Sequence, residues 1–263
     1  MKLTFTDIKQ RLQQKPVIVK PKTHKFSHFV SKEIDLDPFR LDEDLWVVTD
    51  YIGKDLEDLI LDFGVYANPF VVLRDRRVQV YGGQVTPEGL VDRTQLPDWA
   101  DIFSQRLFDE KIFPLKPNHV LVNEYKIGEG IMPHTDGPAY FPLVSILSLG
   151  SDSVMEFSKD NKVLNSVYLP QRSLLLFTGN YYTDLQHAID RVTSDQIVFD
   201  DCGQFLLKNN EVFPIKGKFP LALSNEEFPE VLCPVCSQRF TKLFTSYRET
   251  RISLTIRYVP IKY

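Results

Sequence analysis

The stretch GEGIMPHTDGP, residues 128–138, sets His134 and Asp136 two apart inside a frame of glycine and proline. Side chains at i and i+2 of an extended chain project to the same side, the geometry that two ligands of one metal ion require. The pair alone is weak evidence, because 5 histidines and 35 acidic residues in 263 positions are enough to produce such a spacing by chance. Its meaning is decided by what surrounds it.

On both sides lie short runs rich in β-branched and aromatic residues, bounded by Gly, Pro, Asn or Asp: PFVVL (69–73), RVQVY (77–81), HVLVNEY (119–125), LVSILSL (143–149), SVMEF (153–157), SVYL (166–169), SLLLF (173–177) and RISLTIR (251–257). Such runs read as strands. Two helices are expected ahead of most of them: GKDLEDLILDF (53–63), with Leu56, Leu59, Ile60 and Phe63 at helical spacing, and PDWADIFSQRLFDEK (97–111), opened by Pro97. The pattern predicts an α+β chain, mainly β, with a double-stranded β-helix (jelly-roll) core. Residues 1–45, basic around KPVIVKPKTHK and then acidic, read as a loosely attached leader, and 46–263 as the domain. Residues 188–250 break the strand rhythm and read as an insertion before the last core strand.

Composition narrows the function classes. With 43% hydrophobic residues the chain can bury one full core, and 31 Lys+Arg against 35 Asp+Glu give a formal charge of −4, so no global positive field draws it onto nucleic acid. Three clustered cysteines make no disulfide framework, and no apolar run reaches membrane-spanning length. These features predict a protein of the cytoplasm or nucleus, acting as a monomer.

His187, in YYTDLQHAI, would complete a set of two histidines and one carboxylate, the facial triad that leaves positions open on non-haem Fe(II). His24, His28 and His119 read as structural or surface residues. In RISLTIR, Arg251, Ser253, Thr255 and Arg257 share one face while Ile252, Leu254 and Ile256 share the other. The two arginines are on the order of 20 Å apart along the strand, room for a short dicarboxylate gripped at both ends. Asn123 and Tyr125 share a face of HVLVNEY and offer an amide and a phenol to the same ligand.

The ordered set Asn123, Tyr125, His134, Asp136, His187, Arg251 and Arg257 resembles the AlkB family of Fe(II)- and 2-oxoglutarate-dependent dioxygenases, most closely its eukaryotic homologue-six branch. NHVLVNEYKIGEGIMPHTDGP, SILSLGS, RSLLLFTG and RISLTIRYVP carry the likeness, which runs from about Tyr51 to Pro260. The resemblance implies that His134, Asp136 and His187 hold Fe(II), that Arg251 and Arg257 meet the two carboxylates of 2-oxoglutarate, and that Asn123 and Tyr125 help position it. It implies a reaction that consumes O2 and 2-oxoglutarate, releases succinate and CO2, and hydroxylates a substrate carbon. Two positions depart from the family pattern: Pro138 stands where a second acid follows His-x-Asp, and Ser253 where many relatives have Asn between the arginines.

The substrate class follows less directly. VVLRDRRVQVYGG (71–83) reads as a lid in which Arg74, Arg76 and Arg77 meet phosphates, Tyr81 stacks on a base, and Gly82 and Gly83 form a hinge. Single-stranded or locally opened nucleic acid is then the expected partner, with a protein side chain as the alternative. A catalytically silent binding module on the same fold is the other reading. Against it, two His, an Asp and two Arg buried together would be costly without a function. Cys233 and Cys236 form one CxxC and read as unmetallated thiols; Trp46, Trp99, Tyr140 and Phe141 read as packing residues.

Overall fold

The computed structural model describes residues 32–199, 204–206, 212–214 and 242–260. Strands β1 (Arg40–Asp42) and β2 (Leu45–Val48) precede helix α1 (Lys54–Leu59), which continues as a π-helical turn at Ile60–Val65. β3 (Val71–Val72), β4 (Arg77–Tyr81), β5 (Gln84–Thr86) and β6 (Gly89–Val91) lead into helix α2 (Asp98–Asp109). There follow β7 (His119–Tyr125), β8 (Ile131–His134), β9 (Leu143–Leu149), β10 (Ser153–Lys159), β11 (Lys162–Leu169) and β12 (Leu174–Thr178). Helix α3 (Gly179–Thr183) and β13 (Gln186–Ile189) precede β14 (Ser194–Phe199), β15 (Gln204–Leu206), β16 (Val212–Pro214), β17 (Lys242–Tyr247) and β18 (Arg251–Arg257).

Eight strands form the larger sheet, in the order β1-β2-β12-β9-β18-β7-β4-β3, and four form the smaller, β11-β10-β13-β8. All their pairings are antiparallel, and the two sheets make the jelly roll expected from the strand-rich sequence. Period-2 alternation gives the larger sheet two apolar faces. Val120, Val122, Leu147, Leu174, Ile252 and Leu254 pack on one side against Trp99, Phe103 and Leu107 of α2. Val144, Ile146, Leu175 and Phe177 pack on the other against Met155, Phe157, Val167 and Leu169 of the smaller sheet.

Helix α2 starts where Pro97, in extended conformation, stops the preceding chain; Asp98 and Asp101 in its first turn complement the positive end of its dipole. Trp99, Phe103 and Leu107 recur at i, i+4 and i+8, which fixes the buried face. The fold reaches back into the segment read as a leader. β1 and β2 extend the larger sheet, and Leu36 and Phe39 pack on its helical side. Residues 1–31 lie outside the described residues.

Between β13 and β18, β14 to β17 form a separate four-stranded sheet, so the segment read as an insertion has strands of its own. Arg248 ties its ends to the core: the guanidinium donates two hydrogen bonds of 2.7 Å to the buried Asp195 carboxylate and a third to the Asp190 carbonyl, just after β13. Gly82 and Gly83 have φ of +102° and +133°, and a Cβ on Gly82 would lie 2.0 Å from the Asn118 carbonyl oxygen. The pair, read from the sequence as a hinge, stands at a tight crossing of two backbones.

Phe157 is 0% exposed and meets Phe177 and Tyr181 edge-on, at centroid distances of 5.4 and 4.8 Å. Phe157→Ala is expected to destabilise the fold by about 3–5 kcal/mol in denaturant titration, the range for an aromatic core truncation.

Candidate active site

The site begins with strand pairing. β8 and β13 run antiparallel with His134 directly opposite His187, so both side chains leave the same face of the smaller sheet. Asp136 follows two residues after His134, just beyond β8. One ligand atom from each of the three residues lies within 4.8 Å of the others, and the imidazole centroids are 4.3 Å apart.

The electrostatics suit a cation. His134 Nδ1 lies 2.9 Å from the Met132 carbonyl, which can only accept, so Nδ1 carries the proton and Nε2 keeps its lone pair. Burial holds both imidazoles neutral; it depresses His134, and brings His187, set 5.3 Å from the Phe177 ring, to about 4. Burial, the largest influence, would push the Asp136 carboxyl up, but the Arg257 guanidinium together with His187 and His134 outweighs it, and the carboxyl is held below its ordinary range. Arg257 Nη1 donates to Asp136 Oδ1, while Oδ2 is buried with no hydrogen-bond partner among the described residues. Two free imidazole nitrogens and an unpartnered carboxylate oxygen fit a divalent metal ion.

β18 lies between β7 and β9, and all seven of its residues are buried. Its arginines therefore face a cavity of roughly 230 Å³ that also contains the triad. Arg251 Nη2 donates to Ser148 Oγ at 2.9 Å, and burial lowers its pKa to about 10, which leaves it a cation at neutral pH. The Nε atoms of Arg251 and Arg257 are buried without partners among the described residues. Orphaned guanidinium donors at both ends of the strand fit a small dicarboxylate. Ser253 lies between them, and Asn123 Nδ2 donates to its Oγ at 3.5 Å. Tyr125 is opposite Arg251 in register, with its ring 5.8 Å from the guanidinium carbon.

The residues read as a lid separate into three environments. Arg76 reaches into the cavity, where its Nε donates to Asn123 Oδ1 at 3.0 Å. Arg74 is exposed. Arg77 and Tyr81 sit on the opposite face of β4: Arg77 is paired with Glu124 and stacked over Phe70, and Tyr81 meets Trp99 edge-on at 5.3 Å. That face is turned away from the cavity, whose lining includes neither Arg77 nor Tyr81. Strand alternation separates Arg76 from Arg77, which the basic cluster RDRR conceals.

Other contacts were not singled out from sequence. The Arg257 guanidinium stacks 3.8 Å over the Tyr140 ring, and Tyr182 on α3 donates to the Gly137 carbonyl at 2.6 Å, fastening the turn after Asp136. Leu121, Ile146 and Met155 supply apolar wall; Leu121 was findable, since it shares a face with Asn123 and Tyr125. His119, read as structural, is buried 5.8 Å from Tyr140. His24, His28, Cys202, Cys233 and Cys236 lie outside the described residues.

This arrangement of a jelly roll, a His-Asp-His cluster and two facing arginines is matched by the 2OG-Fe(II) oxygenase superfamily, whose family model fits residues 75–257. The chain belongs to that superfamily and is an oxidoreductase of the dioxygenase type. It is 28% identical, over 89% of its own length and 94% of the relative's, to the Danio rerio protein called Probable RNA/DNA demethylase ALKBH6. It is 33% identical over 55% of its length to the Macaca fascicularis tRNA (carboxymethyluridine(34)-5-O)-methyltransferase ALKBH8, of which it spans 24%. The solved structure of OsALKBH1 superposes on 83% of this chain and 98% of that one with a TM-score of 0.51 at 17% identity, a likeness of fold.

An unfolded histidine titrates near 6.5, whereas burial brings His187 to about 4 and His119 to about 3. The unfolded chain therefore binds more protons in that window, and both residues contribute stability that is present above pH ~6.5 and lost as pH falls toward their folded values. The metal-free protein is expected to melt at steadily lower temperature from pH ~6.5 down to ~4, with His119→Gln flattening the slope; a constant melting temperature would contradict the burial of these rings.

Proposed function

We propose that the protein oxidatively removes alkyl groups from nucleic acid, with His134, Asp136 and His187 holding Fe(II) and Arg251 and Arg257 holding 2-oxoglutarate. The observation that carries the chemistry is the buried set of unpartnered atoms, Asp136 Oδ2 and the Nε atoms of Arg251 and Arg257, gathered around one cavity. The nucleic-acid substrate is supported by the likeness, along nearly the whole chain, to a relative called an RNA/DNA demethylase. Among the described residues no helix is long and apolar enough to cross a membrane. A monomer working in the nucleus or cytoplasm is the expectation that accompanies this reading.

Bound Fe(II) with 2-oxoglutarate supplies the activation of O2 that hydroxylates a substrate carbon; on an N-methyl group the product falls apart to formaldehyde and the bare nitrogen. The protein's residues bind, orient and exclude. Arg257 keeps Asp136 ionised through a direct hydrogen bond and is itself stacked on Tyr140. Arg251 offers a cation at the far end of β18, anchored by Ser148. Asn123 and Tyr125 flank it from β7, and Ser253 lies between the arginines on the same face. Leu121, Ile146 and Met155 give the cavity apolar surface that excludes water.

The test is succinate and formaldehyde production from 2-oxoglutarate under aerobic Fe(II) conditions, with methylated DNA, RNA and peptide oligomers as substrates. Succinate stimulated by a methylated oligonucleotide is the expected result; stimulation by peptides alone would overturn the nucleic-acid reading. His187→Ala is expected to lower turnover by at least about 100-fold with an unchanged circular dichroism spectrum, since even groups behind a metal ligand are worth 10–100-fold. Arg251→Gln should raise the KM for 2-oxoglutarate about tenfold or more, the cost of one charge-assisted contact. Wild-type turnover in His187→Ala would sink the triad assignment.

A further inference from the structure

We propose that the cavity accepts alkyl groups carried on uncharged bases and discriminates against bases that alkylation has made cationic. This rests on the nucleic-acid reading above and names the substrate class within it. The argument starts from the charges that line the cavity. Among the described residues, three guanidiniums, Arg76, Arg251 and Arg257, line the cavity with a single carboxylate, Asp136. A divalent metal ion and a dianionic cosubstrate cancel each other, so the loaded cavity keeps the same positive surplus.

Arg257 is balanced by Asp136, and Arg251 sits at the end of β18 suited to a cosubstrate carboxylate. Arg76 is the remainder, with no ion pair among the described residues. Its Nε donates to a neutral acceptor, Asn123 Oδ1, at 3.0 Å. The acids nearest in the chain and across the sheet are engaged elsewhere: Asp75 with Arg191 at 2.7 Å, and Glu124 with Arg77 on the opposite face of β4. Arg76 lines the same cavity as His134 and Tyr125, which places it beside the space a reacting group must enter. Arg76 is half-buried, and bringing a like charge beside it is unfavourable.

Methylation distinguishes the two classes of base cleanly. A methyl on a ring nitrogen that has no proton to lose, as in 1-methyladenine, fixes a positive charge on the base at neutral pH. A methyl on the exocyclic amine, as in N6-methyladenine, leaves the base neutral. The two are isomers, so size and composition stay constant while charge changes.

The experiment uses the full chain with one single-stranded oligonucleotide sequence carrying either isomer. Formaldehyde release with Fe(II) and 2-oxoglutarate gives kcat/KM for each, and fluorescence anisotropy with Zn(II) and N-oxalylglycine gives Kd for each without turnover. The neutral isomer is expected to be favoured about tenfold or more in kcat/KM, with the same direction in Kd. Arg76→Glu should narrow or invert the ratio. Arg76→Gln, which keeps an N–H for Asn123 but not the charge, should narrow it part-way; melting curves establish that each variant is folded, and the wild-type ratio decides if one is not. A wild-type ratio near one or in favour of the cation, or a ratio that neither substitution moves, overturns the inference and leaves nucleic-acid demethylation standing. Release from neither oligonucleotide, with succinate formed on a methylated peptide, overturns both.

Discussion

Asp136 and Arg257 face each other where water hardly reaches, with side chains 10% and 3% exposed. Neither charge is tolerable there alone: a buried carboxylate without its cation would take up a proton, and a buried guanidinium without its anion would be strongly destabilising. The pair also spans the two sheets, because Arg257 ends β18 in the larger sheet while Asp136 follows β8 at the edge of the smaller one. The rest of the site serves this contact. Tyr140 covers the guanidinium, Tyr182 fastens the turn carrying the carboxylate, and Oδ2 is left without a hydrogen-bond partner among the described residues.

The core was legible because strand alternation was visible in it. RISLTIR separates its apolar and polar residues without exception, and in the fold Ile252, Leu254 and Ile256 enter the helical core while Arg251, Ser253, Thr255 and Arg257 line the cavity. HVLVNEY and LVSILSL occupy β7 and β9 residue for residue. β8 was harder to see, since IMPH is short, contains Pro133 and exposes Met132 to 72%; its strand character comes from pairing with β13, which is a tertiary fact. The lid misled for the opposite reason: Arg74, Arg76 and Arg77 form one basic patch in sequence, and period 2 with the end of β4 sends them to solvent, cavity and helical layer. β1 was hidden by the acidic run around it, which composition alone reads as leader.

The segment before β18 has a similar lesson. Its proline-rich, aperiodic wording suggested an excursion from the core, yet Arg248 clamps Asp195 and the Asp190 carbonyl behind the strand that carries His187. The boundary of the excursion is thus braced by a bidentate buried pair, and any shift there would be transmitted directly to one of the candidate metal ligands.

The position of β18 has a consequence in time as well as in space. β7 and β9 are near neighbours in sequence but do not touch as partners; the strand that joins them arrives about a hundred residues later, as the Arg251 to Ser148 contact at a separation of 103 records. Contacts of such long range are slow to form because the intervening loop must close first. A chain folding as it leaves the ribosome therefore carries an open seam between β7 and β9, and the cavity cannot exist until β18 fills it. The two arginines reach the cavity only in the molecule whose sheet is already complete, so no shortened folding intermediate presents both of them there.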